Sequence, residues 1–321
     1  LEDDWMEPAL AEDASIDKVM FPCYVQPKID GVRALFISDT LTGRSMDPFK
    51  GTGVTEYFTK PTNKWLDGEM TLGTKPNCTE RLCAATTGAI GRFKGVDQMD
   101  DLHWWVFDYL EFPDLPYRER YRLLLDKVVG LNDPRVHLVP HTMECLNEAE
   151  LKAAIAWCYE QGFEGAMIKN PEAPHKDGRA TQKGQQLWRI KPWLDSEILV
   201  TGITQGNHNA NEAKKNTLGR TERSSSKDGM VPNGMVGSIQ GVLLTDVICP
   251  MTGKLLFVKG TEITVGPGEM TAKEAKHYWE NPSEIVGKCI KFRHMTHGVK
   301  NLPRFPTYIS HRLIEDMVHS Q

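Results

Sequence analysis

Gln26-Pro27-Lys28-Ile29-Asp30-Gly31-Val32-Arg33 limits what this chain can fold into more than any other stretch. One apolar run (Val19, Met20, Phe21, Tyr24, Val25) leads into it, and a second, Val32 to Ile37, leads out. Both runs have the residue types of strands, and Asp30-Gly31 supplies the chemistry of a sharp turn between them. Lys28 is therefore expected near a strand end. An ammonium held there among other cations gives up its proton readily, and the free amine is a nucleophile. The same residues also read as a hairpin turn carrying an exposed lysine. Motifs further down the chain decide between the two.

At 321 residues the chain is long enough for about two domains with sizeable cores. With 40% hydrophobic and 25% charged residues it has the make-up of a soluble globular protein. It holds no run of about eighteen apolar residues, so no helix is expected to cross a membrane. The start, Leu1-Glu2-Asp3-Asp4, is acidic and reads as no secretory leader, which implies the cytoplasm, or a host's cytoplasm if the chain is viral. Seven cysteines without a Cys-x-x-Cys pair argue for reduced thiols and against a zinc site. The net charge of −5 is unevenly spread. Residues 1–17 carry seven acids and no base, whereas residues 175–227 are rich in Lys and Arg. Local clustering sets the field that a phosphate backbone meets.

Along the chain, Trp65–Leu72, His103–Tyr109, Gly165–Lys169 and Gln186–Lys191 read as short strands, and 73–100 as a polar surface excursion with short helices. Arg118–Val129 has helical apolar spacing. Asn147–Gln161 opens with Asn147 as N-cap and Glu150 three residues on, and Gly162 closes it. The character changes near Pro192–Ser196. Beyond it, strands are expected at Glu197–Thr204, Ser238–Val247, Leu255–Lys259, Lys288–His294 and Thr307–Arg312, with a helix over Pro267–Trp279. That pattern fits a small Greek-key barrel of the OB type. Residues 205–235 read as a basic loop able to wrap a duplex, carrying Lys214, Lys215, Arg220, Arg223 and Lys227. Lys288, Lys291, Arg293, His294, Lys300 and Arg304, interleaved with Phe292 and Phe305, form a second basic cluster suited to backbone tracking.

In chain order the sequence shows Lys28-x-Asp30-Gly31-x-Arg33, Gly43-Arg44, Asp67-Gly68-Glu69, Val106-Phe107-Asp108, Glu164-Gly165-x-x-x-Lys169 and Trp188-Arg189-Ile190-Lys191. Attack on a nucleotide's α-phosphorus needs an amine, cations on the phosphate oxygens and a metal for the leaving pyrophosphate. Lys28 supplies the amine. Lys169 and Lys191 supply fixed positive charge, which would also lower the Lys28 pKa.

The series resembles the covalent nucleotidyltransferases, most closely the compact, phage-type ATP-dependent DNA ligases, over nearly the whole chain. Leu302-Pro303-Arg304-Phe305-Pro306 followed by Arg312 is similar to the end of small members. The resemblance implies an α+β fold: an adenylation domain over 1–195, with antiparallel sheets and flanking helices, then an OB-fold domain over 196–321 with a DNA-contacting loop. It also implies ATP and Mg²⁺ as cofactors, nicked duplex DNA as partner, a monomer, and work in DNA replication, repair or recombination. Arg33 and Glu69 would hold the sugar, and Phe107 would stack on adenine. Glu69 and Glu164 would place Mg²⁺. Gln26 stands where relatives often carry an acid that reads the purine amino group, and Arg189 where many carry lysine. Arg44 would meet the phosphate at the nick. The rival readings are an RNA ligase or mRNA capping guanylyltransferase and, in a different class, a non-catalytic DNA-binding protein of the same fold.

Overall fold

The structure, a computed structural model, describes residues 6–77, 82–92, 101–249, 253–296 and 302–312. The acids before Met6, Cys78, Lys300 and parts of the 73–100 excursion lie outside the described residues. The chain divides into two compact units, Leu1–Lys191 with Asn216–Gly219, and Pro192–Lys215 with Arg220–Gln321. Both are built mainly from antiparallel strands with a few helices, an α+β architecture.

The first unit runs β1 (Cys23–Lys28), β2 (Val32–Phe36), α1 (Thr52–Phe58), β3 (Leu66–Leu72), α2 (Leu82–Arg92), β4 (Leu102–Tyr109), α3 (Tyr117–Leu131), β5 (Val136–Leu138), β6 (Met143–Cys145), α4 (Glu148–Glu160), β7 (Gly165–Lys169) and β8 (Trp188–Ile190). One five-stranded sheet has the order Glu12–Asp13, β8, β7, β1, β6; the other has Leu41–Thr42, β2, β3, β4, β5. β1 and β2 therefore do not form the hairpin that Asp30-Gly31 allowed: the chain leaves one sheet at Lys28 and enters the other at Val32. Gly31 is required at that crossing. A Cβ there would lie 2.2 Å from the Met70 carbonyl oxygen and 2.9 Å from Glu69 Cγ.

Two cores follow from the alternation of side chains along strands. On β4, Trp104 and Val106 enter a core with Phe58 and Leu124 from α1 and α3, while Trp105 and Phe107 pack with Val25, Ile155 and Trp188. Burying one such aliphatic or aromatic side chain stabilises the fold by about 1.5–3 kcal/mol. α4 is capped as its sequence indicates: the Asn147 side chain accepts from the Glu150 amide. The Glu150 carboxylate, however, takes its main-chain hydrogen bond from Leu146, one residue before the cap.

The second unit runs β9 (Trp193–Asn209), β10 (Ala213–Lys215), β11 (Thr221–Arg223), β12 (Met230–Leu243), β13 (Glu262–Val265), α5 (Ala272–Glu280), β14 (Cys289–Met295) and β15 (Arg304–Arg312). Its five-stranded sheet has the order β13, β12, β9, β14, β15. The Gly266 amide donates to the Pro306 carbonyl and the Tyr308 amide to the Gly266 carbonyl, each at 2.9 Å, so the two edges meet at one parallel bridge rather than a closed ladder. This is an OB-type strand order, with α5 lying between β13 and β14 in sequence. The third strand of the sheet is Glu262–Val265; Leu255–Phe257, where a strand was expected, is a strand that among the described residues pairs with Val247–Ile248 instead of joining that sheet. The expected helix from Pro267 begins later. Gly268 has φ +49°, and Thr271 forms a capping box with Glu274. Among the described residues no helix is long and apolar enough to cross a membrane, and Cys23, Cys145, Cys158, Cys249 and Cys289 are free thiols.

Candidate active site

Strand register assembles the centre of the site. β7 pairs antiparallel with β1 so that Gly165 stands opposite Lys28 and Lys169 opposite Tyr24. Glu164, immediately before Gly165, is thereby delivered to the lysine. Its amide donates to the Lys28 carbonyl at 3.1 Å, and its carboxylate accepts from Lys28 Nζ. β8 pairs with the other edge of β7, and Lys191, just beyond it, lies 3.4 Å from the second Glu164 oxygen. Gly165 is needed for that closeness, since a Cβ would lie 2.2 Å from the Ile190 carbonyl oxygen. Glu164 is thus a buried carboxylate held between two lysines.

Lys169 is placed differently from the expectation that it crowds Lys28. Four residues along a strand is roughly 13 Å, and from the far end of β7 its Nζ donates to the Phe107 carbonyl at 3.1 Å and lies 3.6 Å from Asp108. Burial lowers its pKa to about 8, with Asp108 opposing the shift. Burial also lowers Lys191, opposed by Glu164 and assisted by Lys28.

Lys28 and Lys169, though not Glu164 or Lys191, border a cavity of about 280 Å³ whose wall also includes Gln26, Arg33, Arg44, Glu69, Phe107 and Arg189. Seven expected nucleotide-site side chains and the expected nick-phosphate arginine therefore share one cavity. Arg33 donates from Nε and Nη2 to the two oxygens of buried Asp67, at 2.5 and 2.6 Å, and its guanidinium carbon stands 4.7 Å from the Phe107 ring centre. Burial raises the Glu69 carboxyl to about 7 in spite of Lys28 and Arg33 nearby. Arg189 is held by Asp13 at 2.6 Å. Arg44 is exposed, on a turn closed by the Gly43 amide donating to the Asp47 carbonyl.

Among the described residues no group of three His, Cys, Asp or Glu side chains is placed to hold a metal. Glu164 is engaged by its lysines, and Glu69 is the cavity carboxylate that makes no ion pair among the described residues. A closed protein cage does not fit this donor set. A cation that keeps water and phosphate oxygens does.

A family model described as the ATP dependent DNA ligase domain matches residues 8–191, more than half of the chain. The chain belongs to the ATP-dependent DNA ligase family. The DNA ligase of African swine fever virus is 27% identical over 196 residues, which cover 57% of this chain and 44% of the viral protein. The chain thus spans less than half the length of that relative. Among solved structures, the Chlorella virus DNA ligase-adenylate aligns with a TM-score of 0.51 at 23% identity, covering 95% of this chain and 99% of that one. A Lig E DNA ligase aligns with a TM-score of 0.65 at 18% identity, with the same coverage. At these identities the likeness carries the fold.

Several residues in or behind the wall of this ligase-family cavity were not among the expected site residues. Asp67 fixes Arg33, and Arg179 lines the wall. Arg120 on α3 clamps Asp108 at 2.9 and 3.1 Å. Tyr117 and Thr142 both accept from the Gln26 amide. Only Asp67 had a signal that could have found it, its place in Asp67-Gly68-Glu69.

The expected DNA-contacting residues of the second unit are divided. The 205–235 segment is not an irregular loop: β9 and β12 extend into it as a ribbon, and β10 pairs with β11. Lys214, Lys215, Arg220, Arg223 and Lys227 are all exposed. In the second basic cluster, His294 and Phe292 are fully buried and stacked on each other, and His294 bonds Ser196 at 2.9 Å. They are core residues, not a tracking surface. Lys291 and Arg293 pair with Asp195 at 2.8 and 3.5 Å. Arg304 stands 5.0 Å from the ring centre of Phe305, which is exposed.

Proposed function

We propose that the protein seals nicks in duplex DNA at the expense of ATP, through an AMP carried covalently on Lys28. The observation that carries this reading is the Lys28–Glu164–Lys191 contact, whose Lys28 lines a cavity that also presents Phe107 and Arg33. In the first step the Lys28 amine forms a bond to the α-phosphorus while the bond to the bridging oxygen breaks and pyrophosphate leaves. Glu164, in contact with Nζ, is placed to take the proton that the ammonium must lose. Lys191 and Lys169 stabilise phosphate charge, and Phe107 offers a ring to the adenine. In the second step an oxygen of the nick's 5′-phosphate displaces the lysine from AMP. In the third, the 3′-hydroxyl displaces AMP and closes the strand.

Glu69, together with Glu164 once its lysines turn to phosphate, would hold Mg²⁺, which when bound would neutralise the leaving pyrophosphate. Arg44 would meet the nick phosphate, where an arginine fork suits the oxygens. The proposal takes the protein to act as a cytoplasmic monomer. Intact mass after mixing with ATP and Mg²⁺ tests it: one added AMP is expected on the wild type and none on Lys28→Ala, which keeps nicked-duplex binding. Label taken up by Lys28→Ala, or an adduct from GTP and not ATP, overturns the reading. Sealing of RNA nicks alone would overturn the DNA assignment.

A further inference from the structure

The two ends of a glutamine amide have nearly the same shape, but one donates hydrogen bonds and the other accepts them. On the wall of a purine site, such a residue matches an amino group at C6 in one orientation and a carbonyl in the other. Gln26, in β1, is not free to take either. Tyr117 has one hydroxyl hydrogen, and it is donated at 2.7 Å to the main-chain oxygen of Phe107, which can only accept. The Tyr117 oxygen can then only accept from the amide 2.9 Å away, so the Gln26 atom facing it is the nitrogen. The second hydrogen of that nitrogen goes to Thr142 Oγ1, also at 2.9 Å, and Thr142 donates onward to the Tyr121 hydroxyl at 2.7 Å. Both hydrogens of the amide are committed. Its oxygen accepts no hydrogen bond from any described side chain, although Gln26 is 2% exposed and lies on the cavity wall beside Lys28.

We infer that Tyr117 and Thr142 decide which base the cavity takes: by holding the nitrogen of Gln26, they leave only its oxygen to meet a ligand, so the site selects a purine with an amino group at C6. Turning the amide over would set its oxygen against Tyr117, whose hydrogen is already used, and would leave buried acceptors unpaired. A purine with a carbonyl at C6 would face the same conflict from the cavity side. Both residues act through Gln26 and are positioning residues. The inference rests on the reading of the cavity as a nucleotide site.

The test compares ATP with inosine triphosphate, which has a carbonyl at C6 and otherwise the same base outline, in the rate of nucleotide transfer to the full chain. The wild type is expected to favour ATP by about 10- to 100-fold in kcat/KM, the scale of one unpaired buried group. Tyr117→Phe and Thr142→Val are each expected to cut that preference by about fivefold or more, through better use of inosine triphosphate. A role confined to folding would lower both rates and leave their ratio alone. Thr142 is half-buried on a loop, so Thr142→Val carries the test even where Tyr117→Phe does not fold. An unchanged ratio in the folded variants, or a wild type indifferent to the C6 group, overturns the inference. A wild type that takes no AMP from ATP sinks the nucleotide reading itself, and the two failures are thereby distinguished.

Discussion

Glu69 is where burial acts most directly on a single cavity side chain. Its carboxyl titrates at about 7 in the folded chain against an ordinary value of 4.5, because burial penalises the charge more than Lys28 and Arg33 support it. Between those two values the folded chain keeps a proton that the unfolded chain has lost. Stability therefore falls as pH rises across that window, and the loss is complete above about pH 7. Glu69→Gln never ionises, so relative to wild type it is expected to gain stability between about pH 5 and pH 8. The urea midpoint of both proteins at the two pH values checks this, and a difference between them that does not change with pH would refute it. At this scale the motifs located Lys28, Arg33, Glu69, Phe107 and Glu164 around one site. They did not foresee that a carboxylate, rather than bare cations, touches Lys28. A motif states residue type and order, whereas that contact depends on Gly165 standing opposite Lys28 across two strands far apart in sequence.

At the scale of elements, α3 is tied to β4 by one buried pair. Arg120 binds both oxygens of Asp108 and also donates to the Leu115 carbonyl at 2.6 Å, while Lys169 approaches the same carboxylate from β7. Removing one partner of a buried pair strands the other charge, which costs about 3–5 kcal/mol. Arg120→Met is expected to lose stability on that scale in urea unfolding. Adding Asp108→Asn should return part of it, because the two positions share one interaction. Strictly additive losses would show that the pair is not coupled. Elements with strong alternation or helical spacing, such as β4, β7 and α3, were legible in the sequence within a residue or two. Two others were not. The four-residue strand Glu262–Val265 lies between glycines and is too short for a period to register. The β1–β2 passage has turn residues that serve a hairpin and a change of sheet equally well, and the choice is made by which strands flank it.

At the scale of the whole molecule, the net charge of −5 would oppose nucleic acid if it were uniform, yet the β10–β11 ribbon and its flanks gather Lys214, Lys215, Arg220, Arg223 and Lys227 in exposed positions. None of the five lines the cavity, so nick binding and self-adenylation should separate. Each cation that neutralises a duplex phosphate releases counterions and steepens the dependence of log K on log salt by about 0.9. Replacing all five with glutamine is expected to weaken nicked-duplex binding and to flatten that slope in proportion to the phosphates left without a cation. Uptake of one AMP from ATP should remain, since Lys28, Glu164 and Lys191 are untouched. Binding measured across a salt series on the same variant preparation used for intact mass decides the matter. Equal slopes for variant and wild type would move the duplex contact off the ribbon, whereas loss of the AMP adduct would show that these cations reach the chemistry that their absence from the cavity wall argues they do not.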